Sequence, residues 1–225
     1  MLQMLPTSTM ENYLKSIYQI QAGFSESQLV PMGQLAARLG VVPGTATTMV
    51  KALAESGLVV YEPYSGVRLT QAGEKLAALV LRRHRIIELF LVRIMGMNWG
   101  EVHEEAEKLE HVVSEALITR MDEMLGRPQV DPHGDPIPNS EGMFKREEYL
   151  TLLDCPIDAP VTILRVTDQD VAFLKFIEES NLMPGQKITV KARDMAADRV
   201  TVRSEGDRLI TMGMLAASKV LVQTG

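Results

Sequence analysis

Apolar positions at helical spacing, broken by short polar turns, dominate the N-terminal third of the chain. MENYLKSIYQIQ has an apolar stripe and follows Ser8 and Thr9, either of which can cap a helix. A second helix is predicted for Met32–Leu39, and a third begins at Pro43, a residue suited to a first helical turn. LVVYEPYSGVRLT then reads as two short strands around a turn. This order predicts a winged helix-turn-helix over residues 1–78.

The third helix of such a domain enters the DNA major groove with its N-terminal residues near the base edges. Its first turns are rich in threonine, whose hydroxyl and methyl groups can approach phosphates and thymine methyls closely. The alternative is that PGTATT is an ordinary helix start, since helix-turn-helix shapes also occur outside DNA-binding proteins. The candidate DNA-contacting residues in this helix and in the wing are Pro43, Thr45, Thr47, Thr48, Lys51, Tyr64 and Arg68.

A long helix with few polar interruptions is predicted next, over TQAGEKLAALVLRRHRIIELFLVRIMG. A helix that is apolar on most faces must be buried on several sides, which favours packing against a partner subunit. Within it, His84 and Glu88 form a pair spaced i, i+4. EVHEEAEKLEHVV is then predicted as one amphipathic helix, Glu101 to Val113. One of its faces carries two imidazoles and two carboxylates, those of His103, Glu107, Glu110 and His111.

These imidazoles and carboxylates are interpreted either as a solvated polar face or as a divalent-metal site. His84 and Glu88 favour the metal site, because such side chains on a largely buried helix are costly without a partner. The proline- and glycine-rich segment Gly126–Pro138 carries Asp131 and His133. It is predicted either to be an exposed turn or to deliver two more ligands.

The C-terminal part alternates apolar and polar residues as strands do, with one helix that Asp168 or Asp170 can cap. The fold class predicted is therefore mainly α in the N-terminal part, with a small C-terminal β-barrel. The predicted domains are a winged helix-turn-helix (1–78), a helical metal-binding and dimerisation domain (79–140), a linker (141–156) and the barrel (157–225).

Composition narrows the class of protein further. The chain has 225 residues, a net charge of −6 and one cysteine, Cys155, which excludes a disulfide framework and fits a reducing cytoplasm. No apolar run reaches membrane-span length. Residues 1–78 hold five Lys or Arg and five Glu, so DNA binding must depend on local placement. Phosphate-loop and zinc-protease motifs are absent, so an enzyme is not expected; a metal-dependent hydrolase is the alternative from another class.

Four segments in this order, ENYLKSIY, RRHRIIELFL, HEEAEKLEHVVSE and PHGDPIP, resemble the diphtheria-toxin-repressor family of metal-activated transcriptional repressors. The resemblance covers the whole chain and implies that the barrel is SH3-like, related to small ferrous-transport accessory proteins. It also implies a homodimer that binds palindromic operator DNA and represses genes of metal homeostasis.

The resemblance implies two metal sites. The main site would use Asn12, Glu107, Glu110 and His111, with His84 close by. The second would use Glu88, Asp131, His133 and Asp170, with His103 added in some members.

Three positions are informative when they are compared with the family's patterns. The family usually has Asp or Met where this chain has Asn12, a weaker ligand for which Glu11 or Met10 could substitute. At Glu107 the iron-responsive branch has Cys and the manganese-responsive branch has Glu. At Asp131 some manganese-responsive members have Cys.

Carboxylate, amide and imidazole ligands without thiolate suit Mn²⁺. The expected cofactor is therefore Mn²⁺, with Fe²⁺ as the alternative and Zn²⁺ as a non-physiological occupant.

Overall fold

The computed structural model describes residues 7–24, 28–144 and 148–224. The chain divides into two compact units. The first comprises residues 1–84, 109–113 and 138–144, and the second comprises residues 85–108, 114–137 and 145–225. The predicted domain boundaries at residues 78 and 140 are not tested by this division and stay predictions.

The first unit contains the predicted winged helix-turn-helix. Its elements are helices α1 (Ser8–Gln21), α2 (Met32–Leu39) and α3 (Pro43–Glu55), strands β1 (Val59–Glu62) and β2 (Gly66–Leu69), and the start of helix α4 (Gln71–Arg93). The cap of α1 is Thr7, whose side chain accepts from the Met10 backbone N–H, and not Ser8 or Thr9 as predicted. The two strands pair antiparallel, from Val59 opposite Leu69 to Glu62 opposite Gly66.

One apolar core holds the first unit together. Leu14 and Ile17 of α1, Leu35 of α2 and Val50 and Leu53 of α3 are fully buried in it. Each lies on the stripe that the helical spacing predicted, so burial of these stripes fixes the three helices against one another.

The helical part of the second unit continues α4 from Arg85 and adds α5 (Val102–Leu109) and α6 (Glu115–Met124). The predicted single helix from Glu101 to Val113 is wrong, because α5 ends at Leu109. The Leu109 carbonyl accepts from the backbone N–H groups of Val112 and Val113, and Ser114 caps α6. A pair of β-branched residues before a capping serine favours this interruption.

The rest of the second unit is one antiparallel sheet with strand order β3-β8-β4-β5-β6-β7. Its elements are β3 (Leu150–Thr151), β4 (Pro160–Val166), α7 (Val171–Glu179), β5 (Lys187–Asp194), β6 (Arg199–Ser204), β7 (Leu209–Gly213), α8 (Met214–Ala217) and β8 (Val220–Thr224). Two helices accompany the strands, not the single one predicted. The predicted fold class is confirmed: a mainly helical N-terminal part and a small β domain.

The core of the second unit includes residues outside the barrel strands. Trp99, which lies between α4 and α5, is buried in it together with Leu152 and Cys155. The last two belong to the segment predicted as a linker, of which residues 145–147 lie outside the described residues. Within the described ranges, no helix combines the length and apolar character needed to cross a membrane.

Candidate metal clusters and DNA-binding face

The buried carboxylate of Glu110 is the centre of a polar cluster in the first unit. Its Oε2 lies 2.6 Å from His84 Nδ1, and its Oε1 accepts a hydrogen bond of 2.6 Å from Lys15 Nζ. Lys15 lies on α1 and His84 on α4, so Glu110 links two helices that are distant in sequence. We call this group the Glu110 cluster; its members are Glu11, Asn12, Lys15, Arg83, His84, Glu110 and His111.

The environment of Glu110 keeps it ionised. Burial alone would raise its pKa, but the hydrogen bond and charge of His84, together with the ammonium of Lys15, lower the pKa below the usual value. Glu110 is therefore a carboxylate at neutral pH although it is fully buried.

Oxygen atoms surround the imidazole of His111. Its Nδ1 lies 2.6 Å from Glu11 Oε2, and its Nε2 lies 2.8 Å from Asn12 Oδ1 and 3.3 Å from Glu110 Oε1. Glu11 also accepts a hydrogen bond of 2.6 Å from Arg83 Nη2. Carboxylate, amide and imidazole groups side by side are the ligand types that hard divalent cations take.

Three members of this cluster, Glu11, Lys15 and Arg83, are not among the predicted ligands. The resemblance offers Glu11 only as a substitute for Asn12, and it assigns no role to Lys15. Both are buried on α1, four residues apart. The sequence feature that could have indicated these two residues is their spacing on one face of α1. Residues of these types are rarely buried without charged partners.

The second unit contains a separate buried group of ligand-type side chains. Glu88, Asp131 and His133 each offer one ligand atom, and the three atoms lie within 4.8 Å of one another. His103 Nδ1 lies 3.1 Å from Glu88 Oε1. The His133 ring packs against Trp99 at a centroid distance of 4.9 Å, and neither ring nitrogen makes a hydrogen bond in the described part of the chain. We call Glu88, His103, Asp131 and His133 the His133 cluster.

The electrostatics of the His133 cluster favour an added cation. Burial and the charges of Asp135 and Glu88 raise the pKa of Asp131 well above its usual value, although Arg85 Nε lies 3.5 Å from Asp131 Oδ2. Burial lowers the pKa of His133, so its imidazole is neutral and has a lone pair to offer. Buried ring nitrogens without a hydrogen bond, next to crowded carboxylates, fit a divalent cation.

Backbone contacts hold the loop that carries Asp131 and His133. Asp131 Oδ1 accepts from the His133 backbone N–H at 2.8 Å, and the Val166 backbone N–H donates to the His133 carbonyl at 2.8 Å. Gly134 has φ +85°, and a Cβ there would lie 1.9 Å from the Leu164 carbonyl oxygen. Only glycine fits so close to strand β4.

Two further predicted ligands are outside the two clusters as defined above. Glu107 lies on α5 in the second unit, with Oε1 3.7 Å from His103 Nε2. Asp170 is exposed and caps α7, its Oδ1 accepting from the Phe173 backbone N–H at 3.0 Å. The ligand roles of both residues therefore stay predictions, and that of Asp170 gains no support from its position.

The predicted DNA-contacting residues lie on α3 and on the hairpin, and all but the half-buried Thr47 are exposed. Thr47 and Thr48 donate their hydroxyl hydrogens to the Pro43 and Gly44 carbonyls at 2.9 and 3.0 Å. These hydroxyls can therefore offer a partner mainly an acceptor oxygen and a methyl group. In the wing, Tyr64 is exposed at the turn with φ +66°.

A winged helix-turn-helix with buried clusters of metal-ligand side chains defines a metal-responsive DNA-binding regulator. Three family matches agree in order with this reading. Residues 5–67 match "Iron dependent repressor, N-terminal DNA binding domain", residues 70–139 match "Iron dependent repressor, metal binding and dimerisation domain", and residues 150–224 match "FeoA domain". The chain belongs to the diphtheria-toxin-repressor family.

Two relatives and one solved structure that resemble this chain are each named as repressors. The "Iron-dependent repressor IdeR" of Mycobacterium bovis is 28% identical over 228 residues, which cover 96% of each chain. The "Diphtheria toxin repressor" of Corynebacterium glutamicum is 35% identical over 131 residues, 58% of this chain and 56% of that one. A solved structure titled "Manganese-dependent transcriptional repressor complex with manganese" superposes with a TM-score of 0.87 at 36% identity, covering 96% of this chain and 100% of that one.

Proposed function

We propose that this chain is a manganese-responsive repressor that binds palindromic operator DNA as a homodimer and controls genes of metal homeostasis. The donor set of the two clusters carries the proposal, because it consists of carboxylate, amide and imidazole groups. The single thiol of the chain, Cys155, is buried in the core of the second unit. Mn²⁺ suits such ligands, whereas thiolates select softer ions. The 36% identical manganese-dependent repressor supports the choice of Mn²⁺, and the 28% identical iron-dependent repressor keeps Fe²⁺ as the alternative.

Two sets of residues would hold the ions. In the Glu110 cluster they are Asn12, Glu110 and His111, with Glu11 as a second carboxylate. In the His133 cluster they are Glu88, His103, Asp131 and His133. Glu107 is proposed as a further ligand on the strength of the family resemblance. A bound divalent ion supplies positive charge that offsets the repulsion between neighbouring carboxylates.

The Glu110 cluster would link metal binding to DNA binding. Asn12 lies on α1 of the winged helix-turn-helix, whereas Glu110 and His111 lie in the 109–113 segment. An ion held by ligands on α1 and on this segment would fix α1 against the segment. The conformational entropy that this ordering costs would then be lost on metal binding, before DNA binds. In a dimer the two α3 helices would then sit about one helical turn, roughly 34 Å, apart. By reciprocity, operator DNA should tighten Mn²⁺ binding by the same factor by which Mn²⁺ tightens DNA binding.

The DNA contacts proposed are those of α3 and the wing. Lys51 and Arg68 would contact phosphates, while Thr45 and Thr48 would approach base edges with methyl groups and acceptor oxygens. Tyr64 at the tip of the wing would lie against the sugar-phosphate backbone.

A second copy of the chain is the proposed partner of exposed apolar residues in the second unit. Ile94, Met95, Leu117 and Met124 are each about half exposed there. All four fall within residues 70–139, which match a dimerisation domain. We also propose the domain division at residues 78 and 140. The metal binding and dimerisation match ends at residue 139, next to the second boundary, whereas it begins at residue 70, eight residues before the first.

The test is a titration of chelator-stripped protein with Mn²⁺, anaerobic Fe²⁺ and Zn²⁺, read as retention on a palindromic DNA pool at fixed salt. We expect Mn²⁺ to switch on DNA binding at a lower free concentration than Fe²⁺. The opposite order would make the chain an iron-responsive repressor. DNA binding that ignores all three metals would overturn the proposal.

A matched pair of lysine variants checks the DNA face in the same assay. Lys51→Ala should weaken DNA binding about tenfold and reduce its salt dependence, since one phosphate contact is lost. Lys187→Ala removes the same charge from an exposed position on β5 and should change neither. Equal losses for both variants would mean that general charge, and not α3, binds the DNA.

A further inference from the structure

Lys15 is buried in the middle of the Glu110 cluster. Only 6% of its surface is exposed, and its ammonium donates a 2.6 Å hydrogen bond to Glu110 Oε1. Lysine is almost never buried to this degree without a charged partner. The two residues are 95 positions apart in sequence, so the pair forms only when α1 and the 109–113 segment come together.

Both oxygens of Glu110 already have partners of donor type. Oε2 faces His84 Nδ1 at 2.6 Å, while Oε1 faces the Lys15 ammonium and, at 3.3 Å, His111 Nε2. Glu110 is fully buried. The charge of its carboxylate is therefore balanced by a cation that belongs to the protein itself.

A metal ion at Glu110 would compete with this lysine. An ammonium and a divalent ion both seek the lone pairs of the same oxygen, and at hydrogen-bond distance two cations repel strongly where little water screens them. The same buried ammonium stabilises the carboxylate as long as no other cation is near, because an unpaired buried charge is costly.

We propose that Lys15 is a tethered competitor of the metal: it neutralises Glu110 in the metal-free protein and must release or share Oε1 when a divalent ion binds Glu110 and His111. This inference rests on the proposed function, since it takes the Glu110 cluster as a metal site. Lys15 thereby raises the metal concentration at which the protein responds. It also keeps the Glu110 cluster folded below that concentration.

The experiment measures direct Mn²⁺ binding, by calorimetry or by the EPR signal of free Mn²⁺, for the full chain with Lys15→Met, Lys15→Gln and Lys15→Arg. Loss of the charge in the first two variants should tighten the Mn²⁺ dissociation constant about tenfold, as expected for a neighbouring like charge. Lys15→Arg keeps the charge and should stay within about threefold of the parent. Lys187→Met is the matched control, which removes one exposed lysine from β5 and should leave the constant unchanged.

A second readout is the melting temperature in chelator. Lys15→Met should lower it because Glu110 loses its cation, while added Mn²⁺ should raise it by more than in the parent protein. If Lys15→Met does not fold, Lys15→Gln, which can still donate a hydrogen bond to Glu110, decides the question. A folded charge-free variant that binds Mn²⁺ as the parent does, or more weakly, overturns the inference.

Glu110→Gln separates this inference from the proposed function. If Lys15 acts through Glu110, adding Lys15→Met to Glu110→Gln should give no further gain in Mn²⁺ affinity, and an additional gain would overturn the inference. If the parent binds Mn²⁺ and Glu110→Gln does not weaken that binding, the assignment of the Glu110 cluster fails. If Glu110→Gln weakens it and the charge-free Lys15 variants do not tighten it, only the role of Lys15 fails.

Discussion

The two buried clusters differ in how closely a cation approaches the central carboxylate. In the first unit, Lys15 Nζ lies 2.6 Å from Glu110, whose pKa is lowered. In the second unit, Arg85 Nε lies 3.5 Å from Asp131, whose pKa is raised by burial and by neighbouring carboxylates. Both carboxyl groups are almost completely buried. Burial alone therefore does not decide their ionisation, which also depends on the cations and carboxylates that surround each group.

This contrast gives the clusters different responses to an added metal. In the Glu110 cluster the Lys15 ammonium already neutralises the Glu110 carboxylate, so this cluster should be stable without metal. The His133 cluster holds crowded carboxylates and an imidazole whose nitrogens make no hydrogen bond in the described residues, so it should gain more stability from a bound cation.

The largest effect is expected for Glu110→Gln in chelator. This variant leaves the Lys15 ammonium buried without its carboxylate, so the free energy of unfolding should fall by roughly 3–5 kcal/mol in urea denaturation. Glu105→Gln breaks the exposed pair with Lys108 and should leave the free energy of unfolding almost unchanged.

The pH dependence of Glu110→Gln gives a second check. Because folding lowers the pKa of Glu110, the parent protein should be more stable than Glu110→Gln at pH values above the usual carboxyl pKa. This difference should disappear as the pH falls through the lowered pKa. If Glu110→Gln lowers the free energy of unfolding by less than about 1 kcal/mol at neutral pH, the Lys15 ammonium does not depend on Glu110 for its neutralisation.

Asp131→Asn should have a smaller effect and the opposite sign. Folding raises the pKa of Asp131, so the parent is most stable below the ordinary carboxyl pKa and loses stability as the pH rises through the raised value. An amide resembles the protonated acid. The variant should therefore melt roughly 2–4 °C higher than the parent in chelator at neutral pH, the shift that about 1 kcal/mol produces in a chain of this size.

Mn²⁺ gives the matching control for Asp131→Asn. The part of the Mn²⁺-induced rise in melting temperature that comes from the His133 cluster should be lost in the variant. A variant that melts lower than the parent in chelator would mean that Arg85 already compensates Asp131 and that the two clusters do not differ.

An effect of similar size, but destabilising, is expected for Asp170→Ala. As the cap of α7, Asp170 should contribute about 1 kcal/mol to the free energy of unfolding, and Ser114→Ala, which removes the cap of α6, should cost a similar amount. Calorimetry with Mn²⁺ should show no change of affinity for either variant. Weaker binding in Asp170→Ala alone would support the ligand role that the resemblance implied.

Local features of the fold were predictable from the sequence, while the long-range pairing of charges was not. The helices Met32–Leu39 and Pro43–Glu55 follow from apolar spacing, glycine and proline, which act within a few residues. The break after Leu109 was missed because the periodicity of EVHEEAEKLEHVV continues through it. The pairing of Lys15 with Glu110 depends on how α1 packs, which no local pattern encodes.

The sequence predicted which residues are candidate ligands, but not the charged groups that lie around them. His84, Glu88, Asp131 and His133 are all buried in polar clusters, although for Asp131 and His133 the sequence left an exposed turn as the alternative. The sequence could not indicate that Asp131 has its pKa raised while that of Glu110 is lowered, because distant cations and carboxylates decide these shifts.

The contact of Gly134 with strand β4 has a consequence for how the barrel can evolve. The loop that carries His133 is shaped by the Leu164 carbonyl and the Val166 backbone N–H, both of which are main-chain groups. This main-chain support can therefore survive changes of the Leu164 and Val166 side chains, provided that the path of β4 is kept. A shortened chain that ends before β4 would keep every side chain of that cluster and still lose the support that shapes it.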